Sequence, residues 1–206
     1  MRIHVVDDEP ITAKLIASLL TKEGHEVQIF PDGQAAWDAY DADPVPLVVT
    51  DWLMPKMSGI ELCAKIRGSH GAPYTNVIMV TSLSLGEHTA DAFRAGADDI
   101  LGKPLDPDTL LRRVAVTERG QLAQVEDALR KSLELSQSTL GAEHAGLLDA
   151  LASLAQVSRR QRAYVRCRAF VRRQLAIAKS SFGAEDPRTT KLVTELEELS
   201  LLEDHL

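Results

Sequence analysis

Short apolar runs alternate with segments of helical periodicity through the first half of the chain. Between the runs, apolar side chains such as Ile11, Leu15 and Leu19 recur every three or four residues, which is typical of amphipathic helices. The runs predict strands at 2–6, 27–30, 47–50, 77–80 and 98–101, and the periodic segments predict helices at 10–23, 33–42, 58–67, 86–95 and 107–118. Alternating strands and helices of this kind predict an α/β fold, a doubly wound, five-stranded parallel sheet with helices on both faces.

The second half of the sequence has no strand pattern. Its periodicity predicts helices near 121–139, 145–158, 162–181 and 187–203. Residues 140–144 (LGAEH) are echoed 42 residues later by 182–186 (FGAED), and a repeat of this size is typical of stacked helix pairs. We therefore predict two domains, residues 1–118 and a smaller all-helical domain at 119–206. Gly120 is the predicted hinge, with an unbroken helix through it as the alternative.

Charge is distributed unevenly between these two predicted domains. The net charge of the 206 residues is -7. Residues 1–118 hold 10 Lys and Arg against 18 Asp and Glu, whereas residues 119–206 hold 13 against 12. This asymmetry supports two modules. Aromatic residues make up only 4% of the chain, which argues against a large base-stacking surface.

Three further features suggest a cytoplasmic protein. Cys63 and Cys167 are too few and too distant in sequence for a disulfide framework or a zinc site, so we expect buried, reduced thiols. The chain begins with a charged residue and a strand, so no signal peptide is expected. No apolar run reaches the roughly 18 residues that would span a bilayer. The prediction is a soluble, cytoplasmic protein with no membrane partner.

Polar side chains follow four of the predicted strands. In an open parallel sheet, the carboxyl ends of the strands meet at one crevice, so we expect these side chains to lie close together. They are Asp7, Asp8, Asp51, Thr81, Ser82 and Lys103.

These residue types together suit the transfer of a phosphoryl group. Clustered carboxylates repel one another, but Mg²⁺ prefers oxygen ligands and would neutralise them. A cation such as Lys103 would stabilise charge developing on phosphoryl oxygens, and Asp51 would form an acyl phosphate. Acidic residues at strand ends are often merely solvated, and a cation site without phosphate is a further alternative. Lys103 argues against the latter.

Residues 1–118 resemble the receiver domain of two-component response regulators. The stretches that carry the resemblance are 5–10 (VVDDEP), 51–59 (DWLMPKMSG), 80–82 (VTS) and 96–104 (GADDILGKP). The resemblance implies a flavodoxin-like fold, with a sensor histidine kinase or phosphotransfer protein as partner. It also implies that Asp51 is the phosphoacceptor and that Mg²⁺ is held by Asp8, Asp51 and the Leu53 backbone carbonyl, with Asp7 acting through water.

The same resemblance implies how the signal leaves the site. Thr81, with Ser82 beside it, and Lys103 would bind the phosphate and drive the switch, and the bond before Pro104 would be cis. The output face would be residues 84–118, including Ile100 and Pro104. Many receivers have Tyr or Phe where this chain has Ile100, so an aromatic rotamer switch is not expected there.

Residues 133–187 resemble tetratricopeptide repeats of the kinesin-light-chain type. One helix pair, about 147–181, would be complete, and Arg162 replaces the turn glycine usual in that family. Solenoids generally need about three repeats to bury a continuous core. The module is therefore expected to pack against the receiver, against a second copy in a homodimer, or against another protein.

The helical half also contains a segment without acidic residues, between Asp149 and Glu185. Helical spacing predicts a stripe of arginines there, Arg159, Arg162, Arg166 and Arg173. The stripe could be a solvated face or a docking surface for an acidic protein, including the receiver. Nucleic acid is the least favoured partner, because aromatics are few and no DNA-binding motif is present.

The sequence as a whole suggests a response regulator rather than an enzyme. Mg²⁺-dependent phosphorylation of Asp51 would switch protein–protein interaction through residues 84–118 and the helical module. Self-phosphorylation is the only chemistry expected. The alternatives are a phosphorylation-independent scaffold and, less favoured, a nucleic-acid-binding regulator that uses the arginine stripe.

Overall fold

The computed structural model describes residues 1–69, 73–82 and 85–203. The chain divides into two compact units, Met1–Glu118 and Arg119–Leu206. The first unit contains a five-stranded sheet, and the second is built from helices within its described residues.

All five strands of the sheet are parallel. They are β1 (Arg2–Val6), β2 (Glu26–Phe30), β3 (Leu47–Asp51), β4 (Asn76–Thr81) and β5 (Asp99–Gly102), in the spatial order 2-1-3-4-5. In this doubly wound order the connections reverse direction between β1 and β3, and a crevice opens there at the carboxyl ends of the strands. The predicted flavodoxin-like fold is confirmed.

Five helices follow the strands and cover both faces of the sheet. They are α1 (Pro10–Lys22), α2 (Gly33–Ala42), α3 (Gly59–Gly68), α4 (Leu85–Ala95) and α5 (Pro107–Leu140). Ile16 of α1 and Leu110 of α5 are buried in one core, and Tyr40 of α2 and Leu62 of α3 are buried in the other. The strands between the two cores are apolar because both of their faces are covered.

α5 is longer than the sequence pattern predicts. It continues through Gly120 to Leu140, so the prediction of a break at Gly120 is wrong. A single glycine inside a helix costs only about 1 kcal/mol relative to alanine, which is too little to end a helix by itself.

The second unit packs its helices around two small cores. After a 3-10 turn (Ala145–Leu147) come α6 (Leu148–Arg160), α7 (Tyr164–Phe182) and α8 (Pro187–Glu203). One core joins Leu151 of α6 to Ile177 of α7, and the other joins Cys167 of α7 to Leu199 of α8. The predicted helices after residue 145 are present, with shifted boundaries.

The turn between α6 and α7 has an unusual conformation. Arg162 has φ 56°, in the left-handed region that glycine tolerates best. Arg162 therefore has the backbone conformation that favours glycine, at the position where tetratricopeptide repeats of the kinesin-light-chain type usually have glycine.

Both cysteines, Cys63 and Cys167, are buried and free, as predicted. Among the helices that the structure describes, none combines the length and the apolar character needed to cross a membrane.

Candidate functional site

The carboxyl edge of the sheet brings together three of the predicted residues. Lys103 Nζ lies 3.0 Å from Asp7 Oδ2 and 2.8 Å from Asp51 Oδ1. Asp7 follows β1, Asp51 ends β3 and Lys103 follows β5, so residues far apart in sequence meet around one ammonium group. Both carboxylates are buried, at 2% and 8% exposure.

Backbone contacts hold Asp51 in place from two sides. Its Oδ2 atom accepts a hydrogen bond of 3.1 Å from the backbone N–H of Leu53. The carbonyl oxygen of Asp51 packs against Gly59, where an added Cβ would lie only 2.1 Å from that oxygen. The sequence reasoning did not assign a site role to Gly59, although its place at the start of α3, after a Ser58 cap, is a detectable signal.

Lys103 is positioned by the backbone of the neighbouring strand. Its N–H donates to the Thr81 carbonyl oxygen over 2.7 Å. The Lys103–Pro104 peptide bond is cis, as the resemblance implied. The end of β5 is therefore fixed to the end of β4, beside the crevice.

The charges in this site influence one another strongly. Burial raises the pKa of Asp7, although the Glu9 N–H and Lys103 act in the opposite direction. Burial alone would lower the pKa of Lys103, but hydrogen bonds to Asp51 and Asp7 outweigh it and the pKa is raised. Lys103 is therefore a cation at neutral pH.

The other predicted site residues lie around this triad. Thr81 is buried at the end of β4, Ser82 is exposed after it, and Asp8 is exposed beside Asp7. The Leu53 side chain is exposed, and its backbone N–H is the group that contacts Asp51. Among the described residues, no three His, Cys, Asp or Glu side chains form a group that could hold a metal ion. A cation at this edge would therefore need backbone oxygens or water besides carboxylates.

The predicted output residues flank the same edge. Ile100 is half-buried against the core under α2, α3 and α4, and Pro104 is exposed. Residue 84, the first of the predicted output face, lies outside the described residues.

A second ion pair, which was not predicted from the sequence, joins the loop after β2 to the loop after β3. Lys56 Nζ lies 2.6 Å from Asp32 Oδ2, and Asp32 Oδ1 accepts the Ala35 N–H at the start of α2. The signal available in the sequence was Asp32 before Gly33, a typical helix N-cap.

The predicted arginine stripe is wrong as a single helix face. Arg159 lies in α6 and Arg162 in the turn, whereas Arg166 and Arg173 lie in α7. Arg166 binds Glu126 at 3.0 Å, Arg173 donates to the Ala142 carbonyl at 3.1 Å, and Arg159 approaches Glu195 and Glu198 at 4.0 Å. The pattern assumed one continuous helix, but the chain turns between α6 and α7.

Comparison with known families identifies the first unit. Residues 3–115 match the family model of the response regulator receiver domain. The chain belongs to this family, whose members are signalling proteins rather than classical enzymes. Membership places the chain in two-component signalling. The match ends at residue 115, before the helical unit begins.

Individual relatives agree with this assignment. The transcriptional regulatory protein TcrA of Mycobacterium tuberculosis is 37% identical over 123 residues, covering 59% of this chain and 48% of TcrA. The chain thus spans about half the length of the curated relatives it matches. The receiver domain of the Francisella response regulator 1452 is 28% identical with a TM-score of 0.55, covering 58% of this chain and 98% of that one.

One further solved structure of the same fold contains a metal ion. The receiver domain of the sensor histidine kinase PA1611 of Pseudomonas aeruginosa has a magnesium ion coordinated in its active site cleft. It is 24% identical with a TM-score of 0.51, and the match covers 57% of this chain and 94% of that one. At this identity the likeness shows the fold alone.

Proposed function

We propose that this chain is a response regulator in which Asp51 accepts a phosphoryl group with the help of Mg²⁺. Phosphorylation would then change protein–protein interaction through residues 84–118 and the helical unit. The observation that carries the proposal is the contact of Lys103 with both Asp7 and Asp51, because it unites cation and carboxylates at one crevice.

The oxygen atoms at this edge fit Mg²⁺ by their chemistry. Among the described residues, Lys103 contacts one Asp51 oxygen and the Leu53 N–H contacts the other, which leaves lone pairs for a cation. Asp8 and Asp51, the Leu53 carbonyl and, through water, Asp7 would hold the ion. When bound, Mg²⁺ neutralises carboxylates and binds phosphoryl oxygens.

The proposed transfer uses Asp51 as the nucleophile. One carboxylate oxygen attacks the phosphorus of a phosphohistidine, and the bond from phosphorus to the histidine nitrogen breaks with its electron pair left on the nitrogen. Lys103, already 2.8 Å from Asp51, would pair with the new phosphate. Thr81 would turn its hydroxyl toward that phosphate, and because its carbonyl bonds the Lys103 N–H, the ends of β4 and β5 would move together.

The helical unit is proposed to be a tetratricopeptide-like binding module. Gly141 and Gly183, which correspond in the internal repeat, both adopt positive φ, 93° and 92°. This agreement supports repeated helix pairs, in which a turn of the same shape ends α5 and α7. α5 itself runs from the receiver residues into this module, which offers a route for output.

The proposal is tested with Mg²⁺ and a small phosphodonor. Intact-mass spectrometry should show one phosphoryl group on the wild type and none on Asp51→Asn, whereas the exposed control Asp41→Asn should be labelled normally. Hydrogen exchange across residues 85–118 and 119–203 should then change on phosphorylation of the wild type alone. Labelling of Asp51→Asn would overturn the site, and labelling without any change in exchange would favour a phosphorylation-independent scaffold.

A further inference from the structure

Two segments of the chain carry charge of only one sign. Residues 23–55 contain seven Asp and Glu but no Lys or Arg. Residues 150–184 contain eight Lys and Arg but no Asp or Glu. The first segment belongs to the receiver unit and the second to the helical unit.

Ion pairs within the receiver unit use only part of the acidic segment. Asp32, Asp43 and Asp51 are paired with Lys56, Arg2 and Lys103. The other four are exposed and have no ion-pair partner among the described residues. We refer to these four exposed carboxylates together as the acidic face: Glu23, Glu26, Asp38 and Asp41.

The acidic face lies near the amino ends of the strands, whereas the Asp51 site lies at their carboxyl ends. Glu26 is the first residue of β2, and Glu23 follows the end of α1. Asp38 and Asp41 are in the last turns of α2, which returns toward the amino ends of the strands. Asp51, by contrast, is the last residue of β3.

The basic segment is divided in the same way. Arg159, Arg166 and Arg173 make the contacts within the helical unit described above. Other cations, such as Arg172 and Lys179, are exposed on α7.

One outward face of α7 combines these cations with small and apolar side chains. Its positions are spaced by three and four residues, so they lie along one side of the helix, and all are exposed. We name it the basic face: Val165, Ala169, Arg172, Ala176 and Lys179. Val165 is 71% exposed, and the two alanines would allow a close approach by another surface.

We propose that the basic face of one copy of this chain binds the acidic face of a second copy. The charges are complementary, and the exposed valine suits a protein surface better than a phosphate backbone. A net charge of -7 and a 4% aromatic content also disfavour nucleic acid. In the proposed dimer each copy contributes both faces, so its two contacts are identical. This association is separate from the proposed phosphorylation.

A charge swap tests the proposal in the full-length chain. Sedimentation at low salt should show a wild-type dimer, whose dissociation constant rises about tenfold or more at high salt, because exposed charges are screened. Each of two charge-reversed variants should be monomeric alone, because its altered face would then lie against a face of the same charge. The variants are Arg172→Glu/Lys179→Glu and Asp38→Lys/Asp41→Lys. An equimolar mixture of the two should form a heterodimer, because both contacts regain opposite charges.

The control variant Lys14→Glu/Lys22→Glu reverses two exposed cations on α1 and should still dimerise. A wild type that stays monomeric at low salt would overturn the proposal, as would a mixture that fails to associate. Loss of binding to a DNA duplex in Arg172→Glu/Lys179→Glu, without reassociation in the mixture, would assign the basic face to nucleic acid instead. Heterodimer formation itself shows that both variants are folded.

Discussion

Lys103 determines the charge balance of the Asp51 site. Its side chain is 22% exposed, whereas the side chains of Asp7 and Asp51 are 0% and 10% exposed. A divalent cation bound by the same carboxylates would supply a similar compensating charge. We therefore expect Mg²⁺ bound at the proposed site to replace part of the stabilisation that Lys103 supplies.

Lys103→Met should lower the free energy of unfolding without Mg²⁺ by about 2 kcal/mol, because it leaves two mostly buried carboxylates unpaired. Added Mg²⁺ should raise the melting temperature of this variant more than that of the wild type. Thermal unfolding with increasing Mg²⁺ measures both effects. Lys56→Met, which removes an exposed lysine from Asp32, is the control and should respond to Mg²⁺ as the wild type does. An equal response of Lys103→Met and wild type would contradict the idea.

Asp7 gives the site a pH dependence of known sign. Burial raises the pKa of Asp7 above its ordinary value of 3.8. Between pH 3.8 and the raised pKa of Asp7 in the folded state, the folded protein holds a proton that the unfolded protein has lost. The stability of the folded state therefore falls as pH rises through this window. The ionised carboxylate therefore destabilises the metal-free protein at neutral pH.

Asp7→Asn should consequently raise the melting temperature in metal-free buffer. The gain should be smallest near pH 4, should grow as pH rises through the window, and should be constant above it, because asparagine does not ionise. Thermal unfolding across this pH range is the measurement. Asp8→Asn, at the exposed neighbouring position, should give a smaller gain. A gain that shrinks with rising pH would refute the assigned sign.

At the scale of elements, parallel strands and helices were predictable because both faces of the sheet are buried. β1, β3 and β4 are nearly uniform apolar runs, and their carboxyl ends necessarily share one edge, so the meeting of Asp7, Asp51 and Lys103 followed from topology. The break between α6 and α7 was also predicted, although its boundaries are shifted and Arg162 adopts positive φ without the usual glycine.

The continuity of α5 was hidden by local sequence. Glu126 looks like a surface residue, yet it is 7% exposed and pairs with Arg130 and with Arg166 of α7. Burial alone would raise the pKa of Glu126, but hydrogen bonds and the nearby arginines outweigh it and lower the pKa. Contacts between distant residues of this kind are not encoded in helical periodicity.

Gly120 lies inside α5 and Gly141 follows its last residue, so the two glycines provide a matched test of whether α5 is continuous. An added Cβ would meet nothing within 4 Å at Gly120 or at Gly141, but only Gly141 has positive φ, 93°. Gly120→Ala should stabilise the protein by roughly 0.5–1 kcal/mol, and Gly141→Ala should destabilise it by about 1–2 kcal/mol. Chemical denaturation measures both. Destabilisation by Gly120→Ala would restore the hinge interpretation.

At the scale of the whole molecule, the proposed phosphorylation site and the acidic face lie at opposite ends of the strands. Asp51 and Lys103 lie at the carboxyl edge of the sheet, and the acidic face lies at the amino edge. Added phosphate charge at Asp51 is therefore at the opposite ends of the strands from the acidic face, and at 0.1 M ionic strength salt screens exposed charges beyond about 10 Å. At that ionic strength the phosphate charge alone should not change the proposed dimer contact.

This independence predicts two outcomes in full-length protein. Phosphorylated wild type should dimerise with the same dissociation constant as Asp51→Asn, which cannot accept phosphate, because the acidic and basic faces are unchanged. Arg172→Glu/Lys179→Glu should accept phosphate from a small phosphodonor with Mg²⁺ at the wild-type rate, although it is monomeric. Sedimentation and intact-mass spectrometry on the same samples measure the two properties. A change of more than about tenfold in the dissociation constant, equivalent to about 1.4 kcal/mol of coupling, or a similar change in the phosphorylation rate, would show that phosphorylation and self-association are linked.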